Sequence, residues 1–230
     1  MLEELKAEVC QANLDLMKAG LVTLTWGNVS GLSPDGKLVV IKPSGVDYDT
    51  MGPEHMVVVD LDGKVVEGDL RPSSDTPTHV LLYKHFEGIG GVTHTHSSLA
   101  TAFAQARVEL TCYGTTHADH FYGPVPVTRP LTQAEVEEAY EVNTGVVIVE
   151  RFAELNPVEM PAVLVAGHAP FTWGKDPAGA VKNAVALEAV ARMAYQTLVI
   201  DPNAGPAPES VVRKHYERKH GPNAYYGQRT

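Results

Sequence analysis

The stretch 56–68, "MVVVDLDGKVVEG", limits the fold more than any other. Two β-branched runs flank Asp62-Gly63, a pair suited to a tight hairpin turn. It predicts a β-hairpin, and therefore antiparallel pairing in whatever sheet forms. Further strand signals are "LTWGNVSGL", "KLVVIKPSG" running into a Pro-Ser-Gly turn, the short "VPVTR", and "AVLVAGHAPFTWG" as strand, break, strand. Helical patterns lie between them. Leu2, Leu5, Val9, Ala12 and Leu16 recur at helical spacing, with Gly20 as a stop. "PSSDTPTHVLLYKHF" starts a helix, with Ser74 or Asp75 as cap and Pro77 in the first turn. "PAGAVKNAVALEAVARMAYQTLVI" is the strongest helix, apolar on most sides and so expected to be deeply packed. "TQAEVEEAYEVNTGVVIVERF" reads as helix or as helix followed by strand, and "VVRKHYERKHG" as a short basic helix before a polar, Tyr-rich tail. Helices around mostly antiparallel strands predict an α/β fold: a three-layer αβα single domain over residues 1–230, with no linker.

Charge and cysteine usage narrow the function classes. Eighteen Lys plus Arg against 28 Asp plus Glu give a net charge of −10, which excludes a nucleic-acid footprint but not a small anionic substrate. No apolar stretch of transmembrane length and no signal-peptide pattern is present, so no membrane partner is expected. Cys10 and Cys112 are too few for a disulfide framework, which points to a reducing cytoplasm.

Ten histidines leave a question that "GGVTHTHSSLATAFA", residues 90–104, makes specific. In a strand, Val92, His94 and His96 share one face, so both imidazoles point into the same space. Ser97 then reads as the N-cap of a helix over 98–106. A pair of imidazoles at a strand end suits a metal ion; two unrelated polar residues at a strand terminus is the plainer reading. His168, after "AVLVAG", also ends a strand and could converge on the pair, with Asp75 as a candidate oxygen ligand. His117 and His120 compete for the same role. His55, His79 and His85 read as ordinary helix or surface residues.

Two turns suit a phosphate. "KPSG" offers Lys42, the Ser44 hydroxyl and the N–H of Gly45. "PSSD" sets Ser73 and Ser74 before a helix N-terminus, where free N–H groups favour an anion, although simple capping explains the same residues. A nicotinamide cofactor is excluded: the Gly-x-Gly of "GIGG" precedes a strand, whereas a dinucleotide fingerprint follows one.

Taken together, "LVTLTWGNVS", "VIKPSGVDYDTM", "PSSDTPTH", "HTHSSLATAFAQA", "GTTHADHFYG" and "RKHYERKHGPNAYYGQ" resemble the class II aldolase/adducin family over essentially the whole chain, in its branch of pentulose-phosphate 4-epimerases. The resemblance implies a central antiparallel sheet between helical layers, a zinc ion (Mn²⁺ or Co²⁺ substituting) and a homotetramer with active sites between adjacent subunits. It implies an isomerase that interconverts L-ribulose 5-phosphate and D-xylulose 5-phosphate in L-arabinose or related pentose catabolism. Residue by residue it implies zinc ligands at His94, His96 and His168, with Asp75 at or beside the metal. It implies a substrate and phosphate pocket from Gly27, Asn28, Lys42, Ser44, Gly45, Ser73 and Ser74, site-lining roles for Thr115, Glu141 and His215, and acid/base work by Asp119 and Tyr226. One departure is visible: Ala166-Gly167 precedes the third histidine where the family carries a polar pair. Rival expectations are an aldolase of the L-fuculose 1-phosphate type, a non-catalytic adducin-like module, which predicts lost ligands, and a zinc hydrolase. "HADHFYG" and the "YYG" tail favour the epimerase, since an aldolase needs no second proton handler.

Overall fold

The structure is a computed structural model that describes residues 2–226 of the 230-residue chain. In chain order, α1 (Leu2–Lys18) precedes β1 (Asn28–Leu32), β2 (Leu38–Ile41), β3 (Val57–Asp60) and β4 (Val65–Glu67). Then come α2 (Thr76–His85), β5 (Gly91–His94), α3 (Ser98–Ala106), α4 (Thr115–Ala118) and α5 (Gln133–Arg151). The chain closes with β6 (Ala162–Leu164), β7 (Pro170–Gly174), α6 (Pro177–Ile200) and α7 (Glu209–His220). The seven strands form one sheet in the order β4-β3-β2-β1-β5-β7-β6, with every neighbouring pair antiparallel.

Unbroken apolar runs in β2 and β3 follow from burial on both faces, because successive side chains point to opposite sides. Val39, Val57 and Val59 pack with Val80 and Leu82 of α2 and Ile148 of α5. Val40 and Val58 pack with Leu5 and Val9 of α1 on the other side. Val29 of β1 meets Ala12 and Leu16 of α1 and Val181 and Ala184 of α6. Helices α2 and α5 thus form one layer and α1 and α6 the other. The hairpin at Asp62-Gly63 forms as expected: Gly63 has φ +78°, and Oδ1 of Asp60 accepts the N–H of Asp62 and of Lys64, both at 2.9 Å.

Several sequence expectations change. "VPVTR" is no strand: Val125 and Val127 make isolated bridges to Leu110 and Leu164. Pro124, Pro126 and Pro130 lack the N–H donors that a ladder needs. "LTWGNVSGL" becomes strand only at Asn28, after a turn in which Leu24 takes φ +54°. Residues 133–151 are helix throughout, broken at Ala139 (φ −162°, ψ 79°). Helix α6 is packed along one side only, with Val185, Met193, Tyr195, Val199 and Ile200 exposed. Ser97 has cap backbone geometry but makes no side-chain cap bond. The cap comes from α6 instead: the Glu188 carboxylate accepts the N–H of Leu99 at 2.9 Å and of Ala100 at 3.0 Å.

Candidate active site

His94, at the end of β5, is held twice. Its ring stacks on Phe171 at 4.2 Å between centres, and its Nδ1 donates to the Pro170 carbonyl at 3.0 Å. A carbonyl only accepts, so Nδ1 carries the proton and Nε2 presents its lone pair. That Nε2 lies 3.1 Å from Nε2 of His96, which continues the strand's parity beyond its last hydrogen bond. His168 enters from the turn after β6, where Gly167 has φ +75°. The three ring centres stand 4.9, 5.0 and 5.1 Å apart, a nearly equilateral triangle.

One nitrogen of each ring lies within 4.8 Å of the others, the spacing of a shared ion; no other such group of His, Cys, Asp or Glu is found among the described residues. The edge of a tetrahedron built on zinc–nitrogen bonds is about 3.4 Å, close to the shortest separation here. Protonation state fits as well. Burial, then the neighbouring His94 and His96, pull His168 down to about 4, and burial lowers His96 in the same direction. Neutral imidazole is the form that ligates. His117 and His120 lie outside this group; Nε2 of His117 donates to the Gly123 carbonyl at 2.8 Å.

Two site residues escape sequence reading. The hydroxyl of Tyr140 lies 3.1 Å from Nδ1 of His168, and the helix break at Ala139 is the residue just before it. His79, expected to be an ordinary or surface residue, is fully buried under the site. Its Nδ1 lies 2.7 Å from Oγ of Ser30, which also meets the Tyr83 hydroxyl at 2.9 Å. Burial pushes His79 down to about 3.

The two phosphate-type turns are zipped together. The N–H of Ser44 donates to the Arg71 carbonyl at 2.9 Å, and the N–H of Ser73 to that of Lys42 at 3.0 Å. Ser44, Gly45, Ser73 and Ser74 therefore face the histidines across one cavity of about 520 Å³. Lys42 sits in its wall, 2% exposed, with Nζ donating to the Val46 carbonyl at 3.1 Å. Burial lowers its pKa against the opposing pull of Asp47. Glu141 also lines the cavity.

Asn28 pairs with His94 across β1 and β5, and its Nδ2 donates to Oδ2 of Asp75 at 2.6 Å. Asp75 occupies the cap position of α2 without capping it, and its oxygens lie outside the imidazole group. Asp75 thus stands next to the three imidazoles, outside the spacing they share. Burial favours its neutral form, but His94, His79 and the bond from Asn28 outweigh that and lower its pKa. Gly27 has φ +81°, and a Cβ there would lie 2.9 Å from the carbonyl oxygen of His94. Only glycine permits that approach, so this position serves backbone packing as well as lining the cavity.

Four of the expected site residues lie elsewhere in the chain. Thr115, Asp119, His215 and Tyr226 do not line the histidine cavity. Asp119 follows α4 and faces α7, with Oδ1 3.2 Å from Nδ1 of His215. Tyr226 is 57% exposed and lies over Arg218 and Lys219.

Residues 7–195 match the family described as Class II Aldolase and Adducin N-terminal domain. The chain belongs to the class II aldolase and adducin family. It is 54% identical over 228 residues to the L-ribulose-5-phosphate 4-epimerase UlaF of Salmonella paratyphi A, covering 99% of this chain and 100% of that one. The fold superposes on an L-fuculose 1-phosphate aldolase with TM-score 0.78 at 24% identity, covering 94% and 95% of the two chains. It superposes on the L-fuculose-1-phosphate aldolase of Thermus thermophilus with TM-score 0.69 at 25% identity, covering 88% and 99%. The expected class II aldolase fold is therefore the one found. The family match stops at residue 195, before α7 and the tail, whereas the similarity to UlaF spans them.

Proposed function

We propose that this chain is a metal-dependent 4-epimerase that interconverts L-ribulose 5-phosphate and D-xylulose 5-phosphate, acting as one catalytic domain per chain in a homotetramer. The observation that carries this reading is a three-imidazole group and two zipped anion-type turns in one cavity, in a chain 54% identical to an L-ribulose-5-phosphate 4-epimerase.

Inverting carbon 4 of a 2-ketose phosphate is difficult because its hydrogen is not adjacent to the carbonyl at carbon 2. Breaking the C3–C4 bond avoids the problem. Retro-aldol cleavage yields glycolaldehyde phosphate and the enediolate of dihydroxyacetone, and re-addition to the other aldehyde face inverts the centre. Zinc, with manganese or cobalt able to replace it, would be held by His94, His96 and His168 and would supply Lewis-acid stabilisation of the enediolate charge. The Ser44, Ser73 and Ser74 hydroxyls and the Gly45 N–H hold the phosphate. They keep the aldehyde from escaping and raise its effective concentration for re-addition. Lys42 supplies a fixed buried cation beside them.

The carbon-4 oxygen gives up a proton on one face and regains one on the other, so two groups on opposite sides are needed. Asp119 and Tyr226 take these roles from the adjacent subunit, with Thr115 and His215 beside them. That arrangement is supported by their separation from the histidine cavity within one chain. No described helix is long and apolar enough to cross a membrane, and a cytoplasmic place of action completes the proposal.

The test is incubation of the metal-loaded chain with L-ribulose 5-phosphate and, separately, with L-fuculose 1-phosphate. Formation of D-xylulose 5-phosphate without free aldehyde is expected. Cleavage of L-fuculose 1-phosphate with no epimerisation would make the chain an aldolase.

A further inference from the structure

Arg218 touches both groups assigned to proton transfer. Its Nε donates to Oδ1 of Asp119 at 2.9 Å and its Nη2 to Oδ2 at 2.6 Å, a two-point fork that sets the plane of the carboxylate. Its guanidinium carbon lies 4.6 Å from the centre of the Tyr226 ring. Its own carbonyl accepts the N–H of Tyr225 and of Tyr226, each at 3.0 Å. Neighbouring cations do less. Lys219 stands 3.8 Å from Oδ2, beyond hydrogen-bond length, and His215 makes one contact.

We propose that Arg218 is a positioning residue that locks the Asp119 carboxylate and the Tyr226 ring in one fixed relation, so that the pair meets the carbon-4 oxygen from opposite sides. The proposal rests on the 4-epimerase reading above. Two proton handlers serving one oxygen must keep their separation to a fraction of an ångström, and hanging both on a single planar group achieves this. Lysine at this position would keep the charge and lose the fork.

The same contacts favour the ionised form of the Asp119 carboxyl. Burial favours the neutral form of Asp119, but Arg218, His215 and Lys219 outweigh it and hold the carboxyl below the usual range. His120, next in the chain, and Lys182 of α6 share the cavity beside it, and His220 donates its Nε2 to the Asp119 carbonyl at 3.0 Å. With Arg218 removed, His215 and Lys219 remain, so the carboxyl rises only part of the way.

The experiment compares Arg218→Lys and Arg218→Gln with the wild type, each as the full metal-loaded chain acting on L-ribulose 5-phosphate. Expected for Arg218→Gln is a fall in kcat of about 10²-fold with KM held within about threefold, because the phosphate turns lie elsewhere. The acid limb of kcat/KM against pH should move upward in Arg218→Gln and less in Arg218→Lys, while metal content stays at the wild-type level. A merely structural ion pair would lower activity in step with Tm and leave the acid limb in place; that result overturns the proposal. If Arg218→Gln fails to assemble, Arg218→Lys carries the same test. A wild type that does not interconvert the two epimers removes the proposal together with the reading it rests on. An active wild type with an indifferent Arg218→Gln removes the proposal alone.

Discussion

The hydroxyl of Tyr140 stands 3.1 Å from Nδ1 of His168, so an aromatic residue of α5 orients the imidazole that arrives from the turn between β6 and β7. An outer contact of this kind fixes which ring nitrogen is left for a ligand. Tyr140→Phe should weaken metal binding by roughly tenfold or more with little change in folding. Competition with a chromogenic chelator measures it; unchanged affinity would leave Tyr140 as packing.

Ser44 and Ser74 are expected to bind phosphate rather than to stabilise α2, because both line the histidine cavity while the cap position of that helix is held by Asp75. Alanine at either position should raise KM for the sugar phosphate roughly tenfold or more, the scale of a hydrogen bond to a charged group, at nearly constant Tm. Ser73 differs. It is buried, and its Oγ accepts the N–H of Asp75 at 3.3 Å. Ser73→Ala should therefore also cost about 1 kcal/mol of stability. Equal Tm losses in all three variants would return Ser74 to a capping role and leave Ser44 as a structural part of its turn.

Glu188 caps α3 from α6, and the first residue of that helix is only two positions after His96. Glu188→Ala should lower unfolding stability by about 1–2 kcal/mol through two orphaned N–H groups near a helix dipole. Urea denaturation decides this, and a midpoint equal to that of the wild type would contradict it.

Acid should destabilise the metal-free chain in a defined window. Burial above all pushes His79 to about 3 and His117, His120 and His168 to about 4. Unfolded histidines titrate near 6.5, so between about pH 6.5 and 4 the unfolded chain binds more protons than the folded one. A histidine with a lowered folded pKa leaves stability intact above 6.5 and erodes it as pH falls. A fully buried ring such as His79 contributes a slope of at most about 1.4 kcal/mol per pH unit within that window, and the half-exposed His120 less, because solvent screens it. Urea midpoints at pH 7, 6 and 5 should therefore decline stepwise; a flat series would mean that these rings are accessible to protons in the folded chain.

How far the sequence was legible follows the range of the interactions. His94 and His96 could be paired from strand parity alone, because alternation is local. His168 was legible as another strand end, and the hairpin at Asp62-Gly63 as turn chemistry. The zipping of the Ser44 and Ser73 turns was not, since hydrogen bonds between residues 42–44 and 71–73 leave no local periodicity. Tyr140 was hidden because the break before it falls at Ala139, a strong helix former whose backbone is set by its tertiary surroundings. Glu188 was hidden because the helix it caps lies 88 and 89 residues away in the chain. Arg218 read as one more cation of a basic helix, whereas its guanidinium is turned inward onto Asp119.

The proposed division of the site between two chains is tested most directly by mixing two inactive variants. His96→Asn disables the imidazole group and leaves Tyr226 intact; Tyr226→Phe does the reverse. After verified subunit exchange at equal concentrations, random neighbours in a cyclic assembly should pair an intact imidazole group with an intact tyrosine at roughly a quarter of the interfaces. Activity near that fraction of wild type is the predicted result. Verified exchange with no activity restored would contradict a shared site and place Tyr226 and the three histidines in the same chain's chemistry or in none.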